Sequence, residues 1–219
     1  MSKKAWFYVV FFALLVGGFY FALTRFLPGY GRVQLPILSY VQPFSFTNQA
    51  GRLITEKDIE GKVYVAEYFF TTCKGICPKL NRNMELVYER FKDQPDFKIL
   101  SHTVDPATDN VQRMKRYADS LKVDAEEWWF LTGDKDSLYS AARKSYLLDS
   151  RDNDTIPVSD QFIHTQFFAL VDREGRVRKI YDGLKKEQID QLEKDIAGLL
   201  KERPGKARLV NNLFGNNPN

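Results

Sequence analysis

The sequence has few cysteines, few histidines and no block of like charge. Two cysteines and two histidines occur among 219 residues, too few for a secreted fold held together by several disulfides. The formal net charge is +4, and Lys3 and Lys4 supply two of these charges. Because no basic patch interleaved with aromatic residues is present, nucleic-acid binding is not indicated. A hydrophobic fraction of 44% supports a packed core and excludes wholesale disorder.

The N-terminal part of the chain contains a long apolar run. Ala5–Leu23 comprises 19 residues without a charge and has aromatic residues at both ends. At ~1.5 Å per residue, a helix of this length spans about 28 Å, close to the ~30 Å thickness of a bilayer core. A cleaved signal peptide is the competing interpretation, but no A-x-A-like cleavage site follows the run. We therefore predict an uncleaved signal anchor with a single transmembrane helix.

The charges that flank this run predict its orientation. Lys3, Lys4 and the amino terminus precede the run, whereas Arg25 and Arg32 follow it. This weak positive-inside bias places the N-terminus in the cytoplasm. The rest of the chain then faces the periplasm or another extracytoplasmic space from the inner (cytoplasmic) membrane, and a cysteine pair can be oxidised there.

Composition divides the chain into four parts. Residues 1–24 form a cytoplasmic stub and the anchor, and residues 25–40 form a linker in which Pro28 and Pro36 prevent a continuing helix. Residues 41–202 form a globular domain. Residues 203–219, which are rich in asparagine, form a tail that we expect to be disordered.

Apolar periodicity predicts an alternation of strands and helices in residues 41–202. The order is an N-terminal hairpin, then β-α-β-α-β-α, then a second hairpin and a closing helix. Strands are predicted at 44–46, 52–54, 63–70, 97–104, 128–131, 167–171 and 177–181, and helices around 80–91, 111–121, 138–146 and 189–199. We therefore predict an α/β fold with a thioredoxin-like central mixed sheet flanked by helices.

The two cysteines lie in one short segment between the first long strand and its helix. The segment from Thr71 to Pro78 has the sequence TTCKGICP, and Pro78 suits the first turn of a helix. A helix N-terminus and the neighbouring Lys74 both favour the thiolate form of Cys73. Three intervening residues allow Cys73 and Cys77 to close a disulfide or to present two sulfur ligands to one soft ion.

The two histidines occupy different contexts. His102 lies in the predicted strand 97–104, where we interpret it as a core histidine rather than a metal ligand. His164 follows the polar stretch Asp149–Asp160 and precedes a strand. A loop at that point of a thioredoxin-like fold lies near the cysteine turn. His164 is therefore a candidate third ligand that, with two thiolates, would suit Cu(I). The residues alone leave this role open.

Three motifs in register make the chain similar to the Sco/SenC family of copper chaperones for cytochrome c oxidase assembly. They are TTCKGICP, VDPATD at Val104–Asp109 and FIHTQFFALVDREGRV at Phe162–Val177, and the resemblance covers roughly residues 41–200. It implies copper, Cu(I) or Cu(II), as the cargo and Cys73, Cys77 and His164 as its ligands. It also implies a partner: cytochrome c oxidase subunit II or another copper-accepting protein.

Two aspartates of the second motif have structural interpretations. Asp105-Pro106 predicts a turn. Asp109, or Asn110 beside it, predicts the N-cap of the following helix.

Three other functions compete with the chaperone. Lys74-Gly75 departs from the proline and acidic residue that many relatives carry after the first cysteine; Lys74 favours thiolate chemistry but repels a cationic metal, which leaves open a thiol-disulfide oxidoreductase acting on periplasmic proteins through Cys73 and Cys77. A peroxiredoxin-type peroxidase would need Pro and Thr or Ser where the chain has Ala66 and Phe70. A purely structural adaptor would not need the cysteines.

Overall fold

The computed structural model describes residues 2–26, 35–149, 161, 163 and 165–202. The chain forms two compact units, Met1–Pro36 and Ile37–Asn219. The linker residues 27–34, the loop residues 150–160 and the predicted tail 203–219 lie outside the described residues.

The first unit contains one helix. Helix α1 comprises Lys3–Phe26 and includes the apolar run from which the anchor was predicted. Its segment Lys3–Ala22 has a mean hydropathy of 2.0 and is long and apolar enough to cross a membrane. The large apolar side chains of this segment, such as Trp6 and Leu14, are exposed. Helix α1 is thus a candidate membrane anchor by length and composition.

The second unit is built on a mixed sheet, to which eight strands of the described residues belong. The strands are β1 (Ser39–Tyr40), β2 (Ser45–Asn48), β3 (Leu53–Thr55), β4 (Val63–Phe69), β5 (Phe97–Thr103), β6 (Trp128–Thr132), β7 (Phe167–Val171) and β8 (Arg176–Asp182). Their order is β1-β8-β7-β4-β5-β6-β2-β3. Strands β4, β5 and β6 are parallel, and the other pairs are antiparallel. The predicted mixed sheet is confirmed.

Helices connect and cover the strands. They are α2 (Cys77–Phe91), α3 (Val111–Leu121), α4 (Lys135–Ser140) and α5 (Lys186–Lys201). Each long helix buries an apolar stripe; in α2 it comprises Leu80, Met84, Val87 and Phe91. Helix α4 continues as a π-helical turn at Ala141–Ser145, where periodicity alone had predicted one uniform helix.

Strand β4 is buried on both faces, because the fold places helices on both sides of the sheet. Tyr64, Ala66 and Tyr68 belong to a core cluster that also includes residues of α4 and the π-helical turn. Side chains alternate along a strand, so Glu67 and Phe69 face the opposite side. On that side the Phe69 ring lies 5.3 Å from the ring of Tyr117 in α3.

The N-terminal hairpin is confirmed, and a further strand precedes it. The Asn48 Oδ1 atom accepts hydrogen bonds from the Ala50 and Arg52 amides, and Gly51 adopts a φ of 79° that favours glycine. Strand β1 pairs with β8 at one edge of the sheet. The sequence carried no signal for β1, because two residues are too few to show alternation.

Candidate functional site

The two cysteines lie at the carboxyl end of the central strand β4. The chain leaves β4 at Phe69 and enters α2 at Cys77, so Cys73 lies in the connecting loop. The Cys73 amide donates to the Phe70 carbonyl at 3.2 Å. Both thiols are free, with Cys73 partly exposed and Cys77 buried. The structure therefore brings the two sulfurs together at a strand-to-helix junction.

The two thiols differ in acid strength, because the pKa of Cys73 is lowered and that of Cys77 is raised. Burial raises the pKa of Cys73, but hydrogen bonds from the Cys77 thiol and from the backbone amides of Cys77, Gly75 and Ile76 outweigh it, so the pKa lies below the ordinary value. Burial and the neighbouring Cys73 raise the pKa of Cys77 to about 12. Cys73 is therefore the more acidic thiol and forms a thiolate more readily than Cys77.

A buried carboxyl group, that of Glu67, lies on the face of β4 where Phe69 meets Tyr117 of α3. Glu67 is 1% exposed, and its Oε1 accepts a hydrogen bond from the Ser101 hydroxyl at 2.6 Å. Its Oε2 has no hydrogen-bond partner among the described residues. Burial raises the pKa of Glu67 to about 7. Its charge in turn contributes to the raised pKa values of Cys77 and Tyr117.

Sequence reasoning missed Glu67. The available signal was a single carboxylate in the otherwise uncharged strand VYVAEYFF, because an ionisable residue at a fully buried position needs a reason to be there.

A second buried carboxyl group, that of Asp109, holds the loop that precedes Cys73. Asp109 is fully buried and accepts hydrogen bonds from the Thr71 amide at 3.1 Å and from the Thr103 hydroxyl at 2.6 Å. It also accepts one from the Thr71 hydroxyl. Arg113 donates from Nε to that hydroxyl at 2.6 Å. These contacts join the cysteine loop to β5 and to the start of α3.

The predicted cap at Asp109 is wrong, because this carboxylate is committed to Thr71 and Thr103. Asn110, the alternative, caps α3 by accepting a hydrogen bond from the Arg113 amide at 3.0 Å. The predicted turn at Asp105-Pro106 is confirmed by the Asp109 amide, which donates to the Asp105 carbonyl at 2.8 Å.

The two histidines differ in what the structure describes. His102 is fully buried, stacks on Tyr68 at 4.9 Å and has a pKa lowered by burial to about 4. The prediction of a core histidine is confirmed. His164 lies outside the described residues, so its role as a ligand stays a prediction. Within the described part of the chain, no three His, Cys, Asp or Glu side chains form a group that could hold a metal ion.

Arg143 ties together the two chain segments that flank residues 150–160. Its Nε donates to the Asp149 carboxylate at 2.8 Å, and its guanidinium also donates to the Gln161 side chain. The Tyr139 hydroxyl donates to the Gln161 carbonyl at 3.1 Å. The side chains of Arg143 and Asp149 are about nine-tenths buried, with 8% and 10% of their surface exposed. Asp149 and Gln161 are thus anchored to α4 and the π-helical turn.

Comparison with known proteins identifies relatives along most of the chain. A model of the SCO1/SenC family matches residues 35–201. The SCO1 protein homolog of Bacillus subtilis (strain 168) is 31% identical over 167 residues, which cover 75% of this chain and 85% of that protein. The mitochondrial protein SCO2 of Saccharomyces cerevisiae is 29% identical, over 61% of this chain and 44% of its own length.

Solved structures resemble the same part of the chain. One of them is BsSco, described as having a disulfide switch and as a member of the Sco family of cytochrome c oxidase assembly proteins. It is 29% identical with a TM-score of 0.65, and the match covers 78% of this chain and 100% of that one. Yeast Sco1 with copper bound is 24% identical with a TM-score of 0.57, covering 78% of this chain and 98% of that one. This second likeness establishes the fold.

Proposed function

This chain belongs to the SCO1/SenC family, and we propose that it is a membrane-anchored copper chaperone for cytochrome c oxidase. The family is linked to the assembly of that oxidase and to copper binding. The observation that carries the proposal is the pair of free, hydrogen-bonded thiols of Cys73 and Cys77 at the start of α2.

The chemistry of the two thiols supports copper as the cargo. Soft sulfur ligands select copper or zinc over hard ions. Cys73 has a lowered pKa and supplies a thiolate readily, whereas Cys77, with a pKa of about 12, gives up its proton when the metal binds. His164 supplies the third ligand in this proposal. Its neighbours Ile163 and Thr165 are buried, which supports a fixed approach of the chain to this position.

Delivery requires the site to face the acceptor. Helix α1 would hold the domain at the inner membrane with its N-terminus in the cytoplasm and the thiols on the periplasmic or extracytoplasmic side. The acceptor is then the binuclear copper site of oxidase subunit II or another copper-accepting protein. Transfer proceeds by ligand exchange, in which acceptor ligands replace the sulfurs one at a time.

Copper stoichiometry tests the proposed ligand set. The reduced full chain in nonionic detergent is loaded with one equivalent of copper, and bound copper is measured after desalting. We expect one ion per chain in the wild type and loss of stoichiometric binding in Cys73→Ser, Cys77→Ser and His164→Ala. His102→Gln, which changes the other histidine, should retain the ion provided that circular dichroism shows a folded protein. Full binding by His164→Ala would contradict the three-ligand site.

The lowered pKa of Cys73 and the raised pKa of Cys77 also favour a second function, thiol-disulfide exchange. The Cys73 thiolate attacks one sulfur of a partner disulfide, forming a mixed disulfide and releasing a partner thiolate. Cys77 loses its proton and attacks the Cys73 sulfur, forming the Cys73–Cys77 disulfide and releasing the second partner thiolate. Two electrons pass to the partner, which takes up two protons. His164→Ala should leave this exchange intact, so the two functions are separable.

A further inference from the structure

Exposed basic side chains lie beside Cys73 in the chain and on the helices α2 and α3 that follow it. Lys74 is next to Cys73, and Lys79 and Arg82 follow on the first two turns of α2. All three are exposed, as is Arg116 on α3, and none of the four makes an ion pair within the described part of the chain. Charges left without a partner in the same molecule are available to a partner molecule.

Two arginines of this surface line a shallow pocket beside the thiols. The pocket has a volume of about 360 Å³ and is lined by Thr71, Arg113, Arg116, Tyr117 and Ser120. Thr71 is two residues before Cys73, and the Tyr117 hydroxyl accepts a hydrogen bond from Asn81 on α2, the helix that begins at Cys77. The pocket therefore adjoins the thiol pair. We call Lys74, Lys79, Arg82, Arg113 and Arg116 the basic collar.

Few acidic groups offset the basic collar. The first turns of α2 and α3 contain no acidic residue. Asp109 is fully buried, accepts hydrogen bonds from Thr71 and Thr103, and lies 3.7 Å from Arg113 Nε, so it offsets the charge of Arg113. Glu85 on the third turn of α2 and Asp105 in the turn before α3 are only partly exposed. The α2 N-terminus adds a partial positive charge of its own. Basic side chains therefore outnumber exposed acidic ones on the first turns of α2 and α3.

We propose that the basic collar is a docking surface for an acidic protein surface that carries the acceptor thiols or disulfide. The proposal rests on the proposed function only in that Cys73 must meet a sulfur or metal site of another protein. Complementary charge around such a site accelerates encounter and orients the two reacting groups. The arginine-lined pocket adds planar donors that suit a carboxylate side chain.

Peptide probes of opposite charge test the partner's chemistry. Two peptides share one C-x-x-x-C disulfide and differ only in four flanking residues, all aspartate or all lysine. Mixed-disulfide formation with Cys73 is followed in the full chain carrying Cys77→Ser, in nonionic detergent. This step needs no copper and no resolving thiol, so its outcome is independent of whether copper delivery is the cellular role. At ~0.01 M salt we expect the acidic peptide to react roughly tenfold faster.

Charge reversal assigns the effect to the basic collar. Arg82→Glu/Arg116→Glu should abolish the preference for the acidic peptide, and ~1 M salt should do the same because the Debye length falls to ~3 Å. The matched control Lys194→Glu/Lys201→Glu makes the same charge change on exposed positions of α5 and should keep the preference. Equal rates for both peptides in low salt, or an equal loss in the two charge-reversed proteins, would overturn the proposal.

Discussion

At the scale of residues, the acid strength of Cys73 depends on Cys77. The Cys77 thiol donates one of the hydrogen bonds that lower the pKa of Cys73 against the opposing effect of burial. We expect Cys77→Ala to raise the pKa of Cys73, because that hydrogen bond to the thiolate is lost. The pH dependence of iodoacetamide alkylation measures the change. Alkylation curves with their midpoints at the same pH in the wild type and in Cys77→Ala would contradict this assignment.

Glu67 makes stability depend on pH in a defined direction. Burial raises its pKa from 4.5 to about 7, so the folded state retains a proton that the unfolded chain releases between these values. The free energy of unfolding therefore falls as pH rises through this window. Glu67→Gln cannot ionise, and we expect it to be more stable than the wild type at pH 8 by on the order of 3 kcal/mol.

Denaturant titrations of both proteins at pH 5 and pH 8 measure this difference. The pKa of His102 is lowered from 6.5 to about 4, so His102 also reduces stability as the pH falls below 6.5. This effect is the same in both proteins and cancels in the comparison. If the free energy of unfolding changes by the same amount between pH 5 and pH 8 in the wild type and in Glu67→Gln, Glu67 is not the titrating group.

At the scale of elements, Arg143 connects the π-helical turn to both flanks of residues 150–160. We expect Arg143→Leu to lower the free energy of unfolding by about 3 kcal/mol, because it leaves the Asp149 carboxylate without its buried partner. Proteolytic cleavage between Asp149 and Gln161 should accelerate. Lys144→Leu, an exposed neighbour on the same turn, is the matched control. Equal cleavage rates in the two variants would mean that Arg143 does not hold this segment.

The long elements of the domain were predictable because their patterns are long. Helix α2 repeats apolar residues at helical spacing along its fifteen positions. Strand β4 stands out by its continuous run of β-branched and aromatic residues. Strand β1 and the π-helical turn were not predictable, since tertiary pairing creates the first and a local change of hydrogen bonding creates the second. Asp109 and Asn110 are adjacent potential caps, and only the position of Thr71 decides between them.

At the scale of the whole molecule, the boundary of the folded domain can be tested by paired truncations. Strand β1 pairs with β8, and the Gln42 amide donates to the Ser145 hydroxyl at 3.0 Å. Removal of residues 1–36 keeps these contacts and should leave the stability of the domain unchanged. Removal of residues 1–43 loses them and should lower the free energy of unfolding by roughly 2–4 kcal/mol. Thermal denaturation of both proteins measures the difference, and equal midpoints would contradict it.

The candidate site was predictable only in part. The strand-to-helix junction placed Cys73 and Cys77 together from their spacing alone. Glu67 carried a signal as the one carboxylate of an apolar strand. Tyr117 and Arg113 carried none, because their proximity to the site arises from packing between β4 and α3 rather than from a local motif. His164 entered through the resemblance to a family, and its place in the site stays a prediction.

The central claim is that Cys73, Cys77 and His164 together bind one copper ion. X-ray absorption spectroscopy of the reduced, copper-loaded full chain tests it most directly, because sulfur and imidazole scatterers are distinguishable. We predict two sulfur atoms and one imidazole nitrogen in the wild type, with the nitrogen lost in His164→Ala. A copper environment that is unchanged in His164→Ala would contradict the account. So would a wild-type copper environment with fewer than two sulfur ligands.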